Sequence, residues 1–353
     1  MVYDAAGIHE SVKGQGHWPE TDETPTLTLF LQNLGDRSLR RVKQLGVTGV
    51  SMSGLGTGGT ETWTDTALKR NIDRAAEAGL ELRNIMFELS DRIRFGEPGR
   101  DEDIETVIGA IQVAGRQGLP VMEYNFYAHR IVEGYKVVPG RGGSGLMDFN
   151  DDRIKDLPPL TGQTAHSLEE MWDNVTYYLK AVIPAAEEAD VRLALHPNDP
   201  PAPISRGSGQ IMSTVEGWKR LVDIVPSPYN GITFDCGVTR ELGHDPVEIC
   251  RYFGERDQIN HVHFRNVVSR VPNLDYTEVW IDEGQVDMFA VMSELVRQKY
   301  PRLIYPEHPP QNDSDTEFPF DGISATIYTG FAYTVGYARA MMQAALATQA
   351  SEN

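Results

Sequence analysis

Four apolar runs in the C-terminal half of the chain each end in a residue that can bind a metal ion. The apolar run ends at His196 in the segment LALHPNDPP and at Asp235 in ITFDCG. It ends at His263 in HVHFRNV and at Glu307 in LIYPEHPP. Short runs of this kind, bounded by Pro, Gly or polar residues, are typical of buried parallel strands. In a parallel barrel the C-terminal strand ends converge on one mouth, where catalytic sites are built. The pattern predicts that two imidazoles and two carboxylates surround one divalent cation there.

The ligand types narrow the choice of metal. Imidazole and carboxylate together suit Mn²⁺, Fe²⁺, Co²⁺ or Zn²⁺, and the two oxygen ligands favour Mn²⁺. Cys236 is the competing ligand on the sixth strand, in place of Asp235. Because adjacent strand residues point to opposite faces, the two cannot both face the metal without a bulge. His261 shares a face with His263 but lies deeper in its strand, so we expect it to form hydrogen bonds instead.

Three residues beside these ligands could act on a substrate. His308 directly follows Glu307 and points differently, as a general acid or base must; orienting a ligand is its alternative role. Arg265 offers a planar fork suited to a substrate carboxylate, and a salt bridge to Glu307 or Asp235 is the alternative. Asn266 could bind a substrate hydroxyl or simply end the strand.

Alternating strand-like and helical stretches run along the whole chain and indicate how these residues are positioned. The eight predicted strands span residues 27–31, 47–53, 81–88, 120–126, 192–197, 231–237, 259–267 and 302–308. Amphipathic helical stretches separate them, and a long helix over about 324–346 closes the chain. This order predicts a single-domain (β/α)8 TIM barrel over residues 27–348. A doubly wound open sheet is the alternative, although no G-x-G-x-x-G follows the first strand to bind a dinucleotide.

Segments outside this alternation are an N-terminal arm (1–26), a C-terminal tail (349–353) and two long connections (127–166 and 268–285). Long loops inside a compact domain are usually functional lids or disordered. Both connections follow strands, so we expect them at the mouth of the barrel. In the first of them, His129, Arg130 and Arg141 are candidate contacts for an anionic or polyhydroxyl substrate.

Composition excludes several classes of protein. The 353 residues carry a net charge of −19, from 51 acidic and 32 basic residues, and such a surface repels nucleic acid and anionic membranes. The two cysteines could form at most one disulfide in a chain of this size, which excludes a fold held together by disulfides. No apolar run approaches the roughly 20 residues that span a bilayer, and the first residues lack a signal-peptide pattern. We expect a cytoplasmic homo-oligomer that acts on a small molecule.

Four segments together resemble the mannonate dehydratase family: LKAVIPAAEEADVRLALHPNDPP, PSPYNGITFDCG, CRYFGERDQINHVHFRNV and DEGQVDMFAVM. The resemblance implies a metal-dependent barrel enzyme that removes water from a sugar acid to give a 2-keto-3-deoxy acid. By motif, the family's two histidine ligands fall on His196 and His263, and its final Asp-His pair falls on Glu307 and His308. Its strand-six motif, Thr-Phe-Cys-x-Gly, puts Asp235 at the position of the cysteine ligand.

The chain departs from this family in its substrate-contacting segments. The family's Trp-Thr-Arg-Thr-Asp-Leu signature after strand four is replaced by YAHRIVEGYKVVPGRGG. Its Tyr-rich segment with Asp and Arg in the last helix is replaced by ATIYTGFAYTVGY, where Tyr328 is the nearest candidate for the catalytic tyrosine. The ligand set also resembles that of sugar isomerase and epimerase barrels, so isomerisation or epimerisation of a keto sugar is the alternative reaction. A catalytically inactive sugar-binding or assembly protein is a third hypothesis.

Overall fold

A computed structural model of the protein describes residues 20–54, 63–130, 132–317 and 328–352. Its first seven strands are β1 (Thr26–Leu31), β2 (Gly49–Ser53), β3 (Glu81–Phe87), β4 (Val121–Tyr124), β5 (Tyr135–Pro139), β6 (Gly145–Asn150) and β7 (Arg192–Leu195). The others are β8 (Ile204–Ser205), β9 (Ser208–Gly209), β10 (Asn230–Asp235), β11 (Ile259–His263), β12 (Asn266–Val271), β13 (Asp275–Val279) and β14 (Leu303–Tyr305).

Helices follow the strands throughout. The first six are α1 (Asp36–Gln44), α2 (Asp65–Glu77), α3 (Asp91–Phe95), α4 (Arg100–Arg116), α5 (Leu168–Ala189) and α6 (Val215–Ile224). They continue with α7 (Cys236–Glu241), α8 (Pro246–Gly254), α9 (Met288–Arg297), α10 (Asp313–Glu317) and α11 (Tyr328–Glu352).

Eight parallel strands close into a barrel, in the order β1-β14-β11-β10-β7-β4-β3-β2. Each barrel strand pairs with the next barrel strand along the chain, and β14 pairs back with β1. Strand β10 is buried at all of its positions, as expected where side chains fill the barrel on one face and helices cover the other. The closed barrel confirms the predicted (β/α)8 fold and rules out the open doubly wound sheet.

All eight predicted strands are present, but several end earlier than their apolar runs. The fourth ends at Tyr124, the fifth at Leu195 and the eighth at Tyr305, where the predicted strands extended to residues 126, 197 and 308. The residues beyond these ends turn out of the barrel wall toward the loops of the mouth. This position matters for the site, because His196 and Glu307 lie just beyond strand ends, whereas Asp235 and His263 are the last residues of β10 and β11 and pair with each other.

Two helix starts show how the sequence fixes helix boundaries. The Ser167 hydroxyl accepts a hydrogen bond from the backbone N–H of Glu170, whose carboxylate accepts from the backbone N–H of Ser167, which forms a capping box for α5. Asp245 caps α8 in the same way through the N–H of Val247, with Pro246 at the first helical position.

Parts of the two long connections form strands, which make a single antiparallel sheet in the order β12-β13-β6-β5. Strands β5 and β6 come from the first connection and β12 and β13 from the second; β13 pairs with β6 through Tyr276 and Phe149. A small apolar cluster of Phe149, Ile154, Ala202 and Tyr276 holds this mouth sheet against the loop after β7. The two connections therefore lie at the mouth as predicted, but they contain a sheet where irregular loops were predicted.

The ends of the chain differ from the predicted boundaries. Helix α11 runs to Glu352, so the segment predicted as a C-terminal tail continues the last helix. Strand β1 begins at Thr26, and most of the predicted arm, residues 1–19, lies outside the described residues.

Within the described ranges, no helix combines the length and apolar character that a bilayer crossing requires. A cytoplasmic location and a homo-oligomeric state stay predictions.

Candidate metal centre

The four predicted ligands meet at the C-terminal mouth of the barrel. One donor atom each from His196, Asp235, His263 and Glu307 lies within 4.8 Å of the others, and all four residues are buried. His196 Nε2 is 3.0 Å from His263 Nδ1 and 3.9 Å from Asp235 Oδ2, and His263 Nδ1 is 2.9 Å from Glu307 Oε1. Asp235 and His263 close strands β10 and β11, whereas the other two lie one or two residues beyond β7 and β14.

The hydrogen-bond partner of the His196 ring, the backbone carbonyl of Pro197, shows which ring nitrogen carries the proton. Its Nδ1 lies 2.7 Å from the carbonyl oxygen of Pro197, which also accepts from the Tyr127 hydroxyl at 2.8 Å. Because a carbonyl oxygen only accepts, Nδ1 must be the donor. Burial and the neighbouring charge of His263 lower the pKa of His196 to about 4, which keeps the ring neutral. The lone pair on Nε2 therefore faces the other three ligands.

Glu123 on β4 supports His263 from the opposite side of the ring. Its Oε1 is 3.1 Å from His263 Nε2, which is an ion-pair distance without the alignment of a hydrogen bond, and Nδ1 is turned to the cluster. Thr233 and Asn84 donate hydrogen bonds to the two oxygens of Glu123, at 2.8 and 3.0 Å. Burial alone would raise the pKa of Glu123, but the charges of His261 and His263 outweigh it and hold the pKa well below its usual range.

Glu123 was not predicted from the sequence, although a signal for it exists. In VMEYNF it is an acidic residue inside an otherwise apolar buried strand, a position that carboxylates occupy only when paired. The hydrogen-bonding role predicted for His261 is confirmed, because its Nδ1 lies 3.0 Å from Glu123 Oε2.

Asp235, rather than Cys236, faces the cluster. The Cys236 thiol is buried and donates to the backbone carbonyl of Arg265 at 3.2 Å. Burial raises the pKa of this thiol, so it stays protonated. Asp235 caps α7 by accepting from the N–H of Val238 through Oδ1, which leaves Oδ2 toward His196.

The surroundings of Arg265 contradict its predicted role as a substrate contact. It was a candidate for binding a substrate carboxylate, but only 1% of it is exposed, and its guanidinium lies within 4 Å of five carboxylates. The separations run from 2.8 to 3.6 Å, to Asp199, Asp235, Glu241, Glu278 and Glu307. The alternative interpretation, a salt bridge to Asp235 or Glu307, is the one that the structure shows. No substrate can displace so many buried partners without leaving charges unpaired.

This region has more buried acids than cations to balance them. Burial and the charge of Glu307 raise the pKa of Asp235 to about 6 despite Arg265, and burial raises that of Glu241 well above its usual range. The buried Oε1 of Glu307 accepts no well-oriented hydrogen bond from any described residue. Buried charges of this kind are normally paired or bound to a metal. Two imidazole nitrogens and two carboxylate oxygens, with excess negative charge around them, fit a divalent cation.

His308 stands beside the cluster and faces a cavity. Its Nδ1 is 2.9 Å from Glu278 Oε2 on β13, and its Nε2 is 3.5 Å from Glu307 Oε2. Its side chain is 30% exposed, against 6% for Glu307. Burial would lower the pKa of His308, but the carboxylates of Glu278 and Glu307 raise it to about 9. The residue has a φ of +47°, and this left-handed backbone turns its side chain differently from that of Glu307.

The cavity has a volume of about 450 Å³ and lies between the barrel mouth and the mouth sheet. Its polar lining includes Arg130, Asp199, Glu278 and His308. No carboxylate in the described part of the chain forms an ion pair with Arg130, although the charges of Asp199 and Glu307 help to raise its pKa. Arg130 therefore lines the cavity, and its contact with a substrate stays a prediction.

Two other predicted substrate contacts are turned away from the cavity. The Asn266 amide donates to the carbonyls of Ile281 and Val286, at 2.9 and 3.2 Å, and so fixes the loop after β13. Arg141 pairs with Asp282 at 2.9 Å, and its guanidinium lies over the ring of Trp280. Both residues hold the mouth sheet in place.

His129 and Tyr328 are also placed away from the reacting centre. His129 is buried and does not line the cavity; burial and the charges of Arg206 and Arg94 lower its pKa. The hydroxyl of Tyr328 donates to the carbonyl of Arg41 at 3.3 Å, which sets it against α1 on the outside of the barrel. Tyr135, whose hydroxyl donates to Asp199 at 2.9 Å, is the tyrosine that does line the cavity.

Solved structures share this architecture. A mannonate dehydratase from Streptococcus suis serotype 2 is 25% identical with a TM-score of 0.83, and the match covers 92% of this chain and 96% of that one. A D-psicose 3-epimerase from Clostridium cellulolyticum H10 superposes with a TM-score of 0.57 over 90% of this chain and 99% of the other. At 11% identity, the epimerase shows the fold alone.

Sequence comparison identifies the family. The chain matches the family described as D-mannonate dehydratase (UxuA) over residues 30–163 and 160–350. A mannonate dehydratase of Thermotoga maritima is 30% identical over 309 residues, covering 77% of this chain and 85% of the relative. One from Streptococcus equi subsp. zooepidemicus is 30% identical over 267 residues, covering 68% and 72%. The chain therefore belongs to the mannonate dehydratase family, a family of hydro-lyases.

Proposed function

We propose that the protein is a metal-dependent dehydratase that converts an aldonic acid into a 2-keto-3-deoxy acid and water. The observation that carries the proposal is the cluster of His196, Asp235, His263 and Glu307, which opens beside a cavity lined by His308. Membership of the mannonate dehydratase family supports the same reaction class.

The four clustered residues would hold one divalent cation, with Mn²⁺ the best fit to two nitrogen and two oxygen donors. A cation bound there would act as a Lewis acid that offsets negative charge on the substrate's carboxylate and hydroxyl oxygens. Glu123 would keep Nδ1 of His263 available by holding the Nε2 proton. Arg265 would keep Asp235 ionised and correctly aimed.

His308 would transfer the protons of the reaction. Dehydration removes the proton on C2 and expels the hydroxyl of C3, and the resulting enol becomes the 2-keto-3-deoxy acid when C3 gains a proton. His308 faces the cavity and is steadied by Glu278, so it can reach a substrate without leaving the cluster. Arg130, which has no carboxylate partner among the described residues, would bind the substrate carboxylate in place of Arg265.

The alternative reaction keeps the same centre but isomerises or epimerises a keto sugar. The two carboxylate ligands favour it, because they resemble the oxygen-rich ligand sets of isomerase barrels. The two reactions differ in their products, since an isomerase returns a compound of unchanged mass and a dehydratase returns one lighter by a water molecule.

The test is product analysis with the metal-depleted protein resupplied with Mn²⁺. Each of a panel of aldonic acids, with mannonate included, and a panel of keto sugars would be incubated and assayed with thiobarbiturate for 2-keto-3-deoxy acids. We expect colour from at least one aldonic acid, only when the metal is present. Isomerised keto sugar without any 2-keto-3-deoxy acid would establish the alternative. A protein that binds sugar acids and metal but forms no product would support an inactive binding protein.

A further inference from the structure

The wall of the cavity opposite His308 comes from the hairpin β5–β6 and is apolar. Val137 and Met147 are directly paired across the hairpin and therefore share a face. Tyr135, two residues before Val137, lies on the same face. All three line the cavity, together with Val132 just before the hairpin.

Three of these side chains are open to the cavity, whereas Tyr135 packs against Phe149. Val132 is 62% exposed, Val137 65% and Met147 39%. The other face of the hairpin is covered, because Leu146 and Val138 pack in a cluster with Trp280. Exposed apolar side chains gathered in a concave site are typical of ligand pockets rather than of free surface.

The remainder of the lining divides the cavity into two regions. His308, Glu278 and Asp199 lie next to the candidate metal centre and supply charge and hydrogen-bonding groups. Beyond them, Val137 and Met147 are joined by Pro309 and Pro310, and the amide of Gln311 lines the cavity beside these four apolar side chains. None of these four side chains can donate a hydrogen bond or accept a strong one. A sugar hydroxyl held against them would lose its water without a replacement, at a cost in binding.

We infer that the substrate is an aldonic acid whose end remote from the carboxylate is apolar, such as a deoxy, alkyl or aryl derivative. This inference rests on the proposed dehydratase function and adds the substrate class. The carboxylate and the reacting C2 and C3 would lie on the charged side, and the apolar end would lie against the hairpin.

The experiment compares three acids with the same reacting end: mannonate, 6-deoxymannonate and 6-O-benzylmannonate. With the Mn²⁺-loaded protein we expect kcat/KM to rise along this series, by roughly 10–200-fold at each step, because each acid buries more apolar surface against the hairpin than the one before. Calorimetric titration of the same acids with His308→Asn protein measures affinities without turnover, and these should rise in the same order.

Val137→Asn and Met147→Gln test whether the hairpin is the cause. Each should reduce the preference for the benzyl acid over mannonate by roughly tenfold or more. Val271→Asn is the matched control, because Val271 is a 46% exposed valine in the mouth sheet that does not line the cavity. It should leave the preference unchanged. Thermal unfolding of each variant identifies any that fail to fold. Met147→Leu keeps an apolar side chain at this position and should keep the preference for the benzyl acid.

The outcomes separate the two proposals. A protein that dehydrates mannonate at least as well as its deoxy and benzyl derivatives would overturn the inference while the dehydratase function stands. An unchanged preference in both folded hairpin variants would do the same. A third outcome is that none of the three acids gives a 2-keto-3-deoxy product, while their affinities still rise from mannonate to the benzyl acid. This result would overturn the dehydratase function and leave the binding preference in place.

Discussion

His263 Nε2 lies 3.1 Å from Glu123 Oε1, while Nδ1 on the other side of the ring faces Glu307 at 2.9 Å. The imidazole therefore stands between two buried carboxylates. Burial would lower the pKa of His263, but the charges of Glu307 and Glu123 raise it well above its usual value, so a cation bound at the cluster must displace the proton on Nδ1. Glu123 is fixed in turn by Thr233, Asn84 and His261. A carboxylate that orients a ligating histidine in this way also increases its basicity.

Glu123→Gln should weaken Mn²⁺ binding by about 10–100-fold, because it removes the charge behind His263 without removing a ligand. Competition titration against a chelator of known affinity measures the effect. Glu88→Gln, a change at an exposed glutamate just after β3, is the control and should bind Mn²⁺ like the unmodified protein. Equal affinities for the two variants would mean that Glu123 has no role in the metal centre.

Asp235→Asn should weaken Mn²⁺ binding more than Cys236→Ser. Asparagine still caps α7, so the change isolates the loss of a charged ligand. Serine can still donate to the carbonyl of Arg265, as the Cys236 thiol does. Metal content after dialysis and the dissociation constant for Mn²⁺ report both effects. Metal loss confined to Cys236→Ser would show that the thiol, and not the carboxylate, is the ligand.

The sequence predicted the fold and the meeting of the four candidate ligands because both depend on local patterns. Apolar runs identify barrel strands, and a residue that follows such a run lies at the mouth whatever its distant partners are. His196, Asp235, His263 and Glu307 could therefore be grouped without any contact information. The partner of His263 could not be predicted this way, because Glu123 lies inside its strand, 140 residues earlier in the chain.

For the same reason, local patterns could not predict the mouth sheet or decide between the two roles considered for Arg265. The pairing of β6 with β13 joins segments more than a hundred residues apart, and neither segment has a clean alternating pattern. Arg265 has the residue type expected of a substrate contact, and only the convergence of Asp199, Glu241 and Glu278 from three other segments shows that it is a structural ion pair.

His308→Asn should lower turnover by about 10²–10⁴-fold, the usual contribution of a general acid or base, while keeping one Mn²⁺ per chain. Asparagine preserves the volume near Glu278 but cannot exchange protons near neutral pH. Glu278→Gln should reduce turnover less, since it only loosens His308. Steady-state kinetics with parallel metal analysis distinguish these effects. Native turnover in His308→Asn would assign proton transfer to another group and leave His308 as a positioning residue.

Arg265→Gln should lower the free energy of unfolding by roughly 3–5 kcal/mol, because it leaves several buried carboxylates without their cation. Arg141→Gln breaks a half-exposed pair with Asp282 and should cost about 0–1 kcal/mol. Urea unfolding in the presence of a chelator measures both without a contribution from bound metal. If Arg265→Gln retains full stability and only raises KM, Arg265 binds substrate after all.

The central claim is that one divalent ion at His196, Asp235, His263 and Glu307 makes the protein a sugar-acid dehydratase. The most direct measurement titrates Mn²⁺ into the metal-depleted protein while following 2-keto-3-deoxy acid formation from an aldonic acid. We predict that the rate rises from near zero and levels off at one ion per chain, and that His263→Ala abolishes the rise. Full product formation without metal, or an unchanged titration with His263→Ala, would contradict the assignment.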